Sequence, residues 1–299
     1  MILICGSSLD PVIMFLRACW DSEHLAYRLL DLGCSEGKSA VQVDYRGWPM
    51  NGFIDGGDWR LDVTELTGVF FHSIDCRSEK VANNAYAACD AEIAALLNNL
   101  PCKVANRPAA GMSNRSKPLQ ALHIRECGFR IPKTLVTNDP AAAKRFYEEC
   151  DGKVIFKSIG GVRSIVRKLS PRYLERLPLL RNGPTQFQAL IAGDDIRVHV
   201  VGDRCFATRI RCSSVDYRFA WEEGFSLEME TTALGGDVTS RCLRLSQKLG
   251  LTFAGIDLKE NSRGEYYCFE ANATPGFSFY ESSTCQPISS ALGEFLGKP

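Results

Sequence analysis

The chain opens on an unbroken apolar run, Ile2-Leu3-Ile4-Cys5, that turns at Gly6-Ser7-Ser8. A short apolar run bounded by turn residues predicts a strand. The stretch after it predicts a helix over 10–32 with Gly33 as its C-cap. Apolar or alternating pieces then predict strands over 40–45, 52–54, 60–63 and 69–72, separated by Gly-rich turns. Ala88, Ile93, Ala94 and Leu97 put apolar positions on a helix over 84–97. Residues 1–105 thus read as a small α/β unit.

Residues 106–113 are loop-like in composition and mark a boundary. The next helix has Asn114 or Ser116 as cap, Pro118 in its first turn and Gly128 just past its end. A strand over 133–136, a helix opened by Asp139-Pro140 and the apolar strand Val154-Ile155-Phe156-Lys157 complete a second unit, 106–185. The third, 186–299, begins near Gln186. It predicts a strand over 196–201 turned by Gly202-Asp203 into another over 205–211. A helix follows with Val238, Cys242, Leu245 and Leu249 on one stripe and Gly250 as cap. Strands over 253–258 and 266–272 and a helix over 287–296 close the chain, which has no internal repeat and no low-complexity segment.

Composition removes classes of function without choosing one. The 299 residues are a prior for about two domains. With 45% hydrophobic and 23% charged residues, intrinsic disorder is excluded. Basic and acidic side chains balance at 35 each, which leaves no electrostatic footprint for nucleic acid or an anionic membrane. No apolar run approaches the roughly 18 residues of a membrane span. The 13 cysteines include no C-x-x-C pair and mostly have apolar neighbours, as Cys268 does between Tyr267 and Phe269. They predict reduced, buried thiols, and with no signal-peptide pattern at the start the expected compartment is the cytoplasm.

Candidate chemistry concentrates in the last strand pair. Pairing Glu260 with Glu265 across Asn261-Ser262-Arg263-Gly264 predicts that Asp257 faces Cys268, with Glu270 and Asn272 on the same face. Ala254, Ile256, Leu258, Tyr267, Phe269 and Ala271 then form an apolar opposite face. Two carboxylates and an amide are hard oxygen donors of the kind that hold magnesium or manganese beside phosphates. A solvated outer face follows from the same alternation, so the pattern alone leaves both readings open. Lys157 ends an apolar strand before Ser158-Ile159-Gly160-Gly161, whose amides can approach phosphate, although a strand-end lysine also snorkels. Lys117 lies near a helix start, where a cation opposes the macrodipole unless an anion binds; an exposed surface lysine is the alternative. Neither a P-loop nor a Rossmann fingerprint is present, and His24, His72, His123 and His199 have no metal-ligand spacing. Asp195, Arg197 and His199 share one strand face. A two-residue turn puts Arg209 and Arg211 on the side of Val198 and Val200, which calls for either a bulge or polar lining on both faces.

Taken in order, these pieces resemble the ATP-grasp superfamily. They are most similar to its branch of ribosomal-protein glutamate ligases and graspetide (microviridin-type) peptide ligases. The ordered set is Lys117, Lys157 with its Gly loop, Gln188-Ala189-Leu190-Ile191, Asp195-Ile196-Arg197-Val198, Arg209 and Arg211, Ile256-Asp257-Leu258 and Phe269-Glu270-Ala271-Asn272. The resemblance runs from about Asn106 to the C-terminus, and residues 52–75 are more loosely similar to the N-terminal domain of graspetide ligases.

It implies an α/β protein of α+β ATP-grasp architecture, a small N-terminal domain followed by two lobes gripping ATP. Lys117 and Lys157 would contact the phosphates under a lid holding Ser158, Gly160 and Gly161. The backbone of Gln188, Ala189, Leu190 and Ile191 would read adenine, and Asp195 would touch ribose. Arg197 and Arg211 would join Lys157 in catalysis, and Asp257, Glu270 and Asn272 would hold magnesium, or manganese in its place. Gln188 stands where a glutamate is usual, and Ala273 follows Asn272 where a proline is usual. The segment Val215-Asp216-Tyr217-Arg218 is similar to a stretch whose arginine meets an acidic substrate. The implied activity is ligation of a carboxylate to an amine or hydroxyl through an acyl-phosphate. A precursor peptide or protein tail is one substrate class, and a homo-oligomer is left open. A nucleotide-binding sensor or scaffold without turnover is the alternative.

Overall fold

The structure is a computed structural model that describes residues 1–32, 40–44, 51–72, 84–159, 166–214, 216–220 and 224–298. The N-terminal part contains β1 (Ile2–Gly6), α1 (Pro11–Ser22), β2 (Tyr27–Asp31), β3 (Ala40–Asp44), β4 (Asn51–Asp55), β5 (Arg60–Asp62), β6 (Gly68–Phe71), α2 (Asn84–Asn99) and β7 (Lys103–Ala105). Four strands form a parallel sheet in the order β2-β1-β6-β7, while β3, β4 and β5 make a small antiparallel sheet. Asp10 accepts hydrogen bonds from the Val12 and Ile13 amides and starts α1, which buries Ile13, Leu16 and Trp20. That helix ends at Ser22, ten residues short of the expected 32. His24 adopts a left-handed φ of 55°, and Tyr27–Asp31 leave to pair with β1. Pairing with a buried neighbour strand overrides the helical continuation.

The middle part contains a 3-10 helix over Pro108–Arg115, where a loop was expected, then α3 (Lys117–Glu126), β8 (Thr134–Thr137), α4 (Pro140–Glu149), β9 (Val154–Lys157), β10 (Arg167–Lys168), α5 (Pro171–Leu174) and β11 (Thr185–Ala189). Ser116 caps α3 by accepting from the Leu119 amide, and Gly128 takes φ 88° just beyond its end. The sheet order is β10-β9-β11-β8. One face, with Val154 and Phe187, packs on Ala143 and Phe146 of α4. The other face carries Ile155 and Lys157. Because β11 pairs with both β8 and β9, the middle sheet runs past the expected boundary at 185.

The C-terminal part contains β12 (Asp194–Val201), β13 (Arg204–Cys212), β14 (Leu227–Thr231), α6 (Gly236–Lys248), β15 (Phe253–Glu260), β16 (Tyr266–Asn272), α7 (Ser278–Thr284) and α8 (Ile288–Gly297). Its antiparallel sheet has the order β14-β13-β12-β15-β16. The core side gathers Ile196, Val198, Ile256, Leu258, Cys268 and Ala271 against Val238, Cys242 and Leu245 of α6. Helix α8 returns to the first sheet, where Leu292 and Leu296 pack with Ile2, Ile4 and Phe70. Asn106 ties the parts together. Its Nδ2 donates to the Phe253 and Ala273 carbonyls, and its Oδ1 accepts from the Thr252 and Phe253 amides at 2.8 and 2.9 Å. Cys127, Cys242 and Cys268 are free and buried, whereas Cys285 is exposed. Among the described residues, no helix is long and apolar enough to cross a membrane.

Candidate active site

The polar face of the C-terminal sheet and the Lys157 face of the middle sheet enclose a cleft of about 470 Å³. Its floor is the hairpin of β15 and β16, whose register departs from the expected one. Glu260 pairs with Tyr266 and Leu258 with Cys268, and a bulge then sets Asp257 directly opposite Glu270 and Gly255 opposite Asn272. Cys268 therefore faces the core, while Phe269 lines the cleft. The bulge corrects the one-residue offset, so Asp257, Glu270 and Asn272 still share a face.

These three side chains converge. Asn272 Nδ2 lies 3.2 Å from Asp257 Oδ2 and 3.3 Å from Glu270 Oε1. The other Asp257 oxygen accepts from Arg197 Nη1 at 2.6 Å. The Arg197 guanidinium is buried, lies over the Tyr280 ring, and occupies space that a side chain at Gly255 would fill. His199, behind it, is fully buried and lies with Nε2 3.2 Å from the Gly276 carbonyl. Burial, with the Arg197 charge, holds the His199 ring well below its ordinary pKa, so it is neutral.

Lys157 is 7% exposed, and Lys117 Nζ stands 3.9 Å from Glu270 Oε2. Burial, and then the neighbouring Lys117 charge, lowers the Lys157 pKa to about 8; burial also lowers that of Lys117. Burial alone would raise Glu270, yet Lys157 and Lys117 hold its carboxyl below the usual carboxylate range. Asp257 goes the other way: burial raises it despite Arg197. Asp195 accepts from Lys259 Nζ at 3.0 Å, and burial raises its pKa to about 6. The cleft is thus a set of cations facing paired carboxylates, the environment in which pKa values are displaced at functional sites.

Lys117, Lys157, Leu190, Ile191, Asp195, Arg197, Asp257, Glu270 and Asn272 all line this cleft. Gln188 is buried in β11, its Nε2 donating to Thr134 Oγ1 at 3.0 Å and its Oε1 without a partner. The Ala189 and Leu190 amides donate to the Lys133 and Lys153 carbonyls at 2.9 and 2.8 Å. Ser158 is exposed at the end of β9; Gly160 and Gly161 lie outside the described residues. Arg211 departs from the expectation. The Gly202-Asp203 turn leaves β12 and β13 in register without a bulge, so Ile196 opposes Arg209 and the arginines fall on the other face of the sheet from Arg197. Arg211 there meets Glu230 at 2.8 Å, and Arg209 meets Asp194 and Glu260.

Arg218, from the segment after β13, enters the cleft instead, held by Asp216 through Nε at 2.7 Å and Nη2 at 2.6 Å. Tyr217 and Tyr280, whose hydroxyls are 2.8 Å apart, Asn114, Gln120 and Phe279 complete a wall that strand and helix periodicity does not reveal.

Among the described residues, no group of three or more His, Cys, Asp or Glu converges to hold a metal. A cation here would rest on the carboxylates of Asp257 and Glu270 and the Asn272 amide. That donor set fits magnesium, which takes one or two carboxylates and completes its shell with phosphate oxygens and water. The close approach of Asp257 to Glu270, now bridged by an amide nitrogen, is the repulsion such a cation would relieve.

A family model described as RimK-like ATP-grasp domain matches residues 113–294. Probable alpha-L-glutamate ligases are similar: that of Rhodopirellula baltica is 28% identical over 63% of this chain and 48% of its own length, that of Mannheimia succiniciproducens 26% over 67% and 68%. The chain therefore spans about half the length of the first of these relatives. Among solved structures, the ATP-grasp ligase PsnB with a phosphomimetic variant of its minimal precursor, Mg and ADP superposes with a TM-score of 0.82 at 26% identity, covering 99% of this chain and 97% of that one. The macrocyclase MdnC of Microcystis aeruginosa, bound to precursor peptide MdnA, gives 0.82 over 100% of both chains at 20% identity, a likeness of fold alone.

Proposed function

This chain belongs to the RimK-like ATP-grasp family, and from that premise we propose that it is an ATP-dependent ligase joining a carboxylate to an amine or hydroxyl. The route is an acyl-phosphate: the substrate carboxylate takes the γ-phosphoryl group of ATP, ADP leaves, and the acceptor attacks the mixed anhydride and expels phosphate. The observation that carries this reading is the single cleft in which Lys117, Lys157, Arg197 and Arg218 face Asp257, Glu270 and Asn272. Such chemistry needs positioning and charge neutralisation more than a nucleophilic side chain.

Lys117 and Lys157 would bind phosphate oxygens, and Leu190 and Ile191 would flank the base, with Asp195 toward the ribose. Arg197, immobilised by Asp257 and Tyr280, would orient the reacting oxygens, with Arg218 at the substrate end. Asp257, Glu270 and Asn272 would hold magnesium, or manganese, which when bound supplies charge neutralisation between the phosphates. A precursor peptide is the favoured substrate class, supported by the precursor complexes of PsnB. The proposed units are the N-terminal part to residue 105, the middle part through β11, and the remainder with the metal site. The buried free thiols suit the cytoplasm.

The test is an ADP-release screen with magnesium and ATP against acidic peptides and amino-acid pairs, in which at least one pair is expected to release ADP above the no-substrate rate. Binding itself has a separate signature. A non-hydrolysable ATP analogue with magnesium is expected to raise the melting temperature far more than the analogue alone. A ligand at about 100 times its Kd stabilises by about 2.7 kcal/mol. Equal shifts with and without magnesium would remove Asp257, Glu270 and Asn272 from the metal role.

A further inference from the structure

Gln120 is buried on α3, and the chemistry above does not use it. Its amide meets the backbone of Ala271 twice. Nε2 donates to the Ala271 carbonyl at 2.9 Å, and the Ala271 amide donates to Oε1 at 3.0 Å. Strand β16 is the edge of its sheet: it pairs with β15 on one side, and on the other it meets Arg130 in an isolated bridge at Tyr267, four residues before Ala271. An edge strand leaves backbone groups unpaired, and buried ones need partners. At this one residue the glutamine side chain serves as the missing neighbour strand.

The residue it holds lies between Glu270 and Asn272. Three positions earlier on α3, a spacing that shares a helix face, Lys117 reaches Glu270 at 3.9 Å. Gln120 Nε2 is also 3.1 Å from Asn114 Oδ1, and Asn114 Nδ2 is 3.4 Å from Asn272 Oδ1. One amide thus sets a helix carrying a cation against a strand carrying a carboxylate, and reaches the Asn272 amide through a neighbour.

We infer that Gln120 is a positioning residue that fixes Lys117 against Glu270 and orients Asn272 for a cation. The inference rests on the metal-and-nucleotide reading for its choice of probe. Gln120→Met keeps length and volume but removes both hydrogen bonds, while Gln120→Glu keeps an acceptor for the Ala271 amide. In the ligand-free protein, hydrogen exchange at Ala271 is expected to accelerate in Gln120→Met and to stay protected in Gln120→Glu. Calorimetry with AMP-PNP is then run with and without magnesium. The gain in affinity that magnesium confers on the wild type is expected to shrink by roughly 10- to 100-fold in Gln120→Met, as when a partner behind a metal ligand is lost. Affinity for AMP-PNP without magnesium is expected to fall by less than the magnesium gain does, because Lys117 keeps its charge and loses only its fixed position. A role in folding alone would move both affinities together. Unchanged exchange at Ala271 overturns the placement whatever the nucleotide does, and a magnesium gain equal to that of the wild type overturns the positioning role.

Discussion

Glu270→Gln is expected to abolish turnover and to erase the magnesium-dependent part of the nucleotide-induced melting shift, while the far-ultraviolet circular dichroism stays that of a folded protein. The substitution keeps the shape of the side chain and an oxygen for the Asn272 amide, which now approaches at 3.3 Å. It deletes the charge. Glu270 is ionised at neutral pH because Lys157 and Lys117 hold its carboxyl below the usual range against the pull of burial. A carboxyl whose pKa is lowered by folding contributes stability above its unfolded pKa, and that contribution disappears as pH falls through the folded value. At neutral pH the variant therefore forgoes it, and a modest fall in the ligand-free melting temperature accompanies the change. The loss of rate is far larger. On the proposed metal role, removing one of the two carboxylates from a cation that offsets triphosphate charge would take away several kcal/mol, on the order of a thousandfold in kcat/KM. ADP release and melting curves with and without magnesium check both parts. An unfolded variant would make Glu270 structural, and a wild-type magnesium shift would place the cation elsewhere.

The same hairpin marks how far the sequence is legible. Alternation in 253–258 and over Glu270, Ala271 and Asn272 is enough to put Asp257, Glu270 and Asn272 together. Register is another matter. Asn261 accepts from the Arg263 and Glu265 amides and donates to the Glu265 side chain, building a turn that pairs Glu260 with Tyr266. The bulge at Phe269 then compensates. No residue in Tyr266–Asn272 announces a bulge, since glycine, its usual marker, is lacking there. Alternation groups Asp257, Glu270 and Asn272, but it is blind to the bulge and so assigns Cys268 and Phe269 to the wrong faces.

Arg211 and Arg218 show the converse. Counting two residues through the Gly202-Asp203 turn already puts Arg209 and Arg211 on the Val198 side, and the structure keeps that count. Both arginines find carboxylates at the strand ends, Asp194, Glu260 and Glu230. Periodicity leaves a bulge and a polar lining both open, and the structure has no bulge; only the resemblance points Arg211 toward the cleft. Arg218 follows no period. It sits in a short 3-10 turn, Tyr217–Phe219, capped by Asp216, and contacts set by such turns depend on tertiary placement rather than on spacing. The early end of α1 has the same origin, since only the neighbouring strand makes 27–31 extended.

Lys157→Met is expected to stop acyl-phosphate formation while leaving the ligand-free protein as stable as the wild type. Lys157 closes an apolar strand, and its ammonium emerges 7% exposed beside Lys117, Glu270 and Asp257. Its pKa is lowered to about 8 from an ordinary 10.5, so below pH 8 the folded protein keeps the charge at a cost that is relieved only as pH climbs through that window. Methionine removes this cost and keeps most of the stem volume, whereas Glu270 loses one of its two lysines; the opposing effects leave a net change under about 1.5 kcal/mol. Function follows the opposite sign. In the proposed reaction a cation at this position would stabilise phosphate charge most as the phosphoryl group leaves, so its deletion is expected to lower kcat/KM by several kcal/mol. In the wild type, affinity for the magnesium-bound ATP analogue should fall as pH rises through about 8, where Lys157 discharges. In Lys157→Met that pH dependence should vanish. A protein that only binds nucleotide would lose affinity and nothing else, because it forms no product to trap. The measurement is hydroxylamine trapping of the activated carboxylate, alongside analogue affinity between pH 7 and about 9.5, a range that brackets the titration. Hydroxamate at the wild-type rate, or an affinity profile that still bends near pH 8 without the lysine, would take Lys157 out of the site and leave Lys117 as the cation facing Glu270.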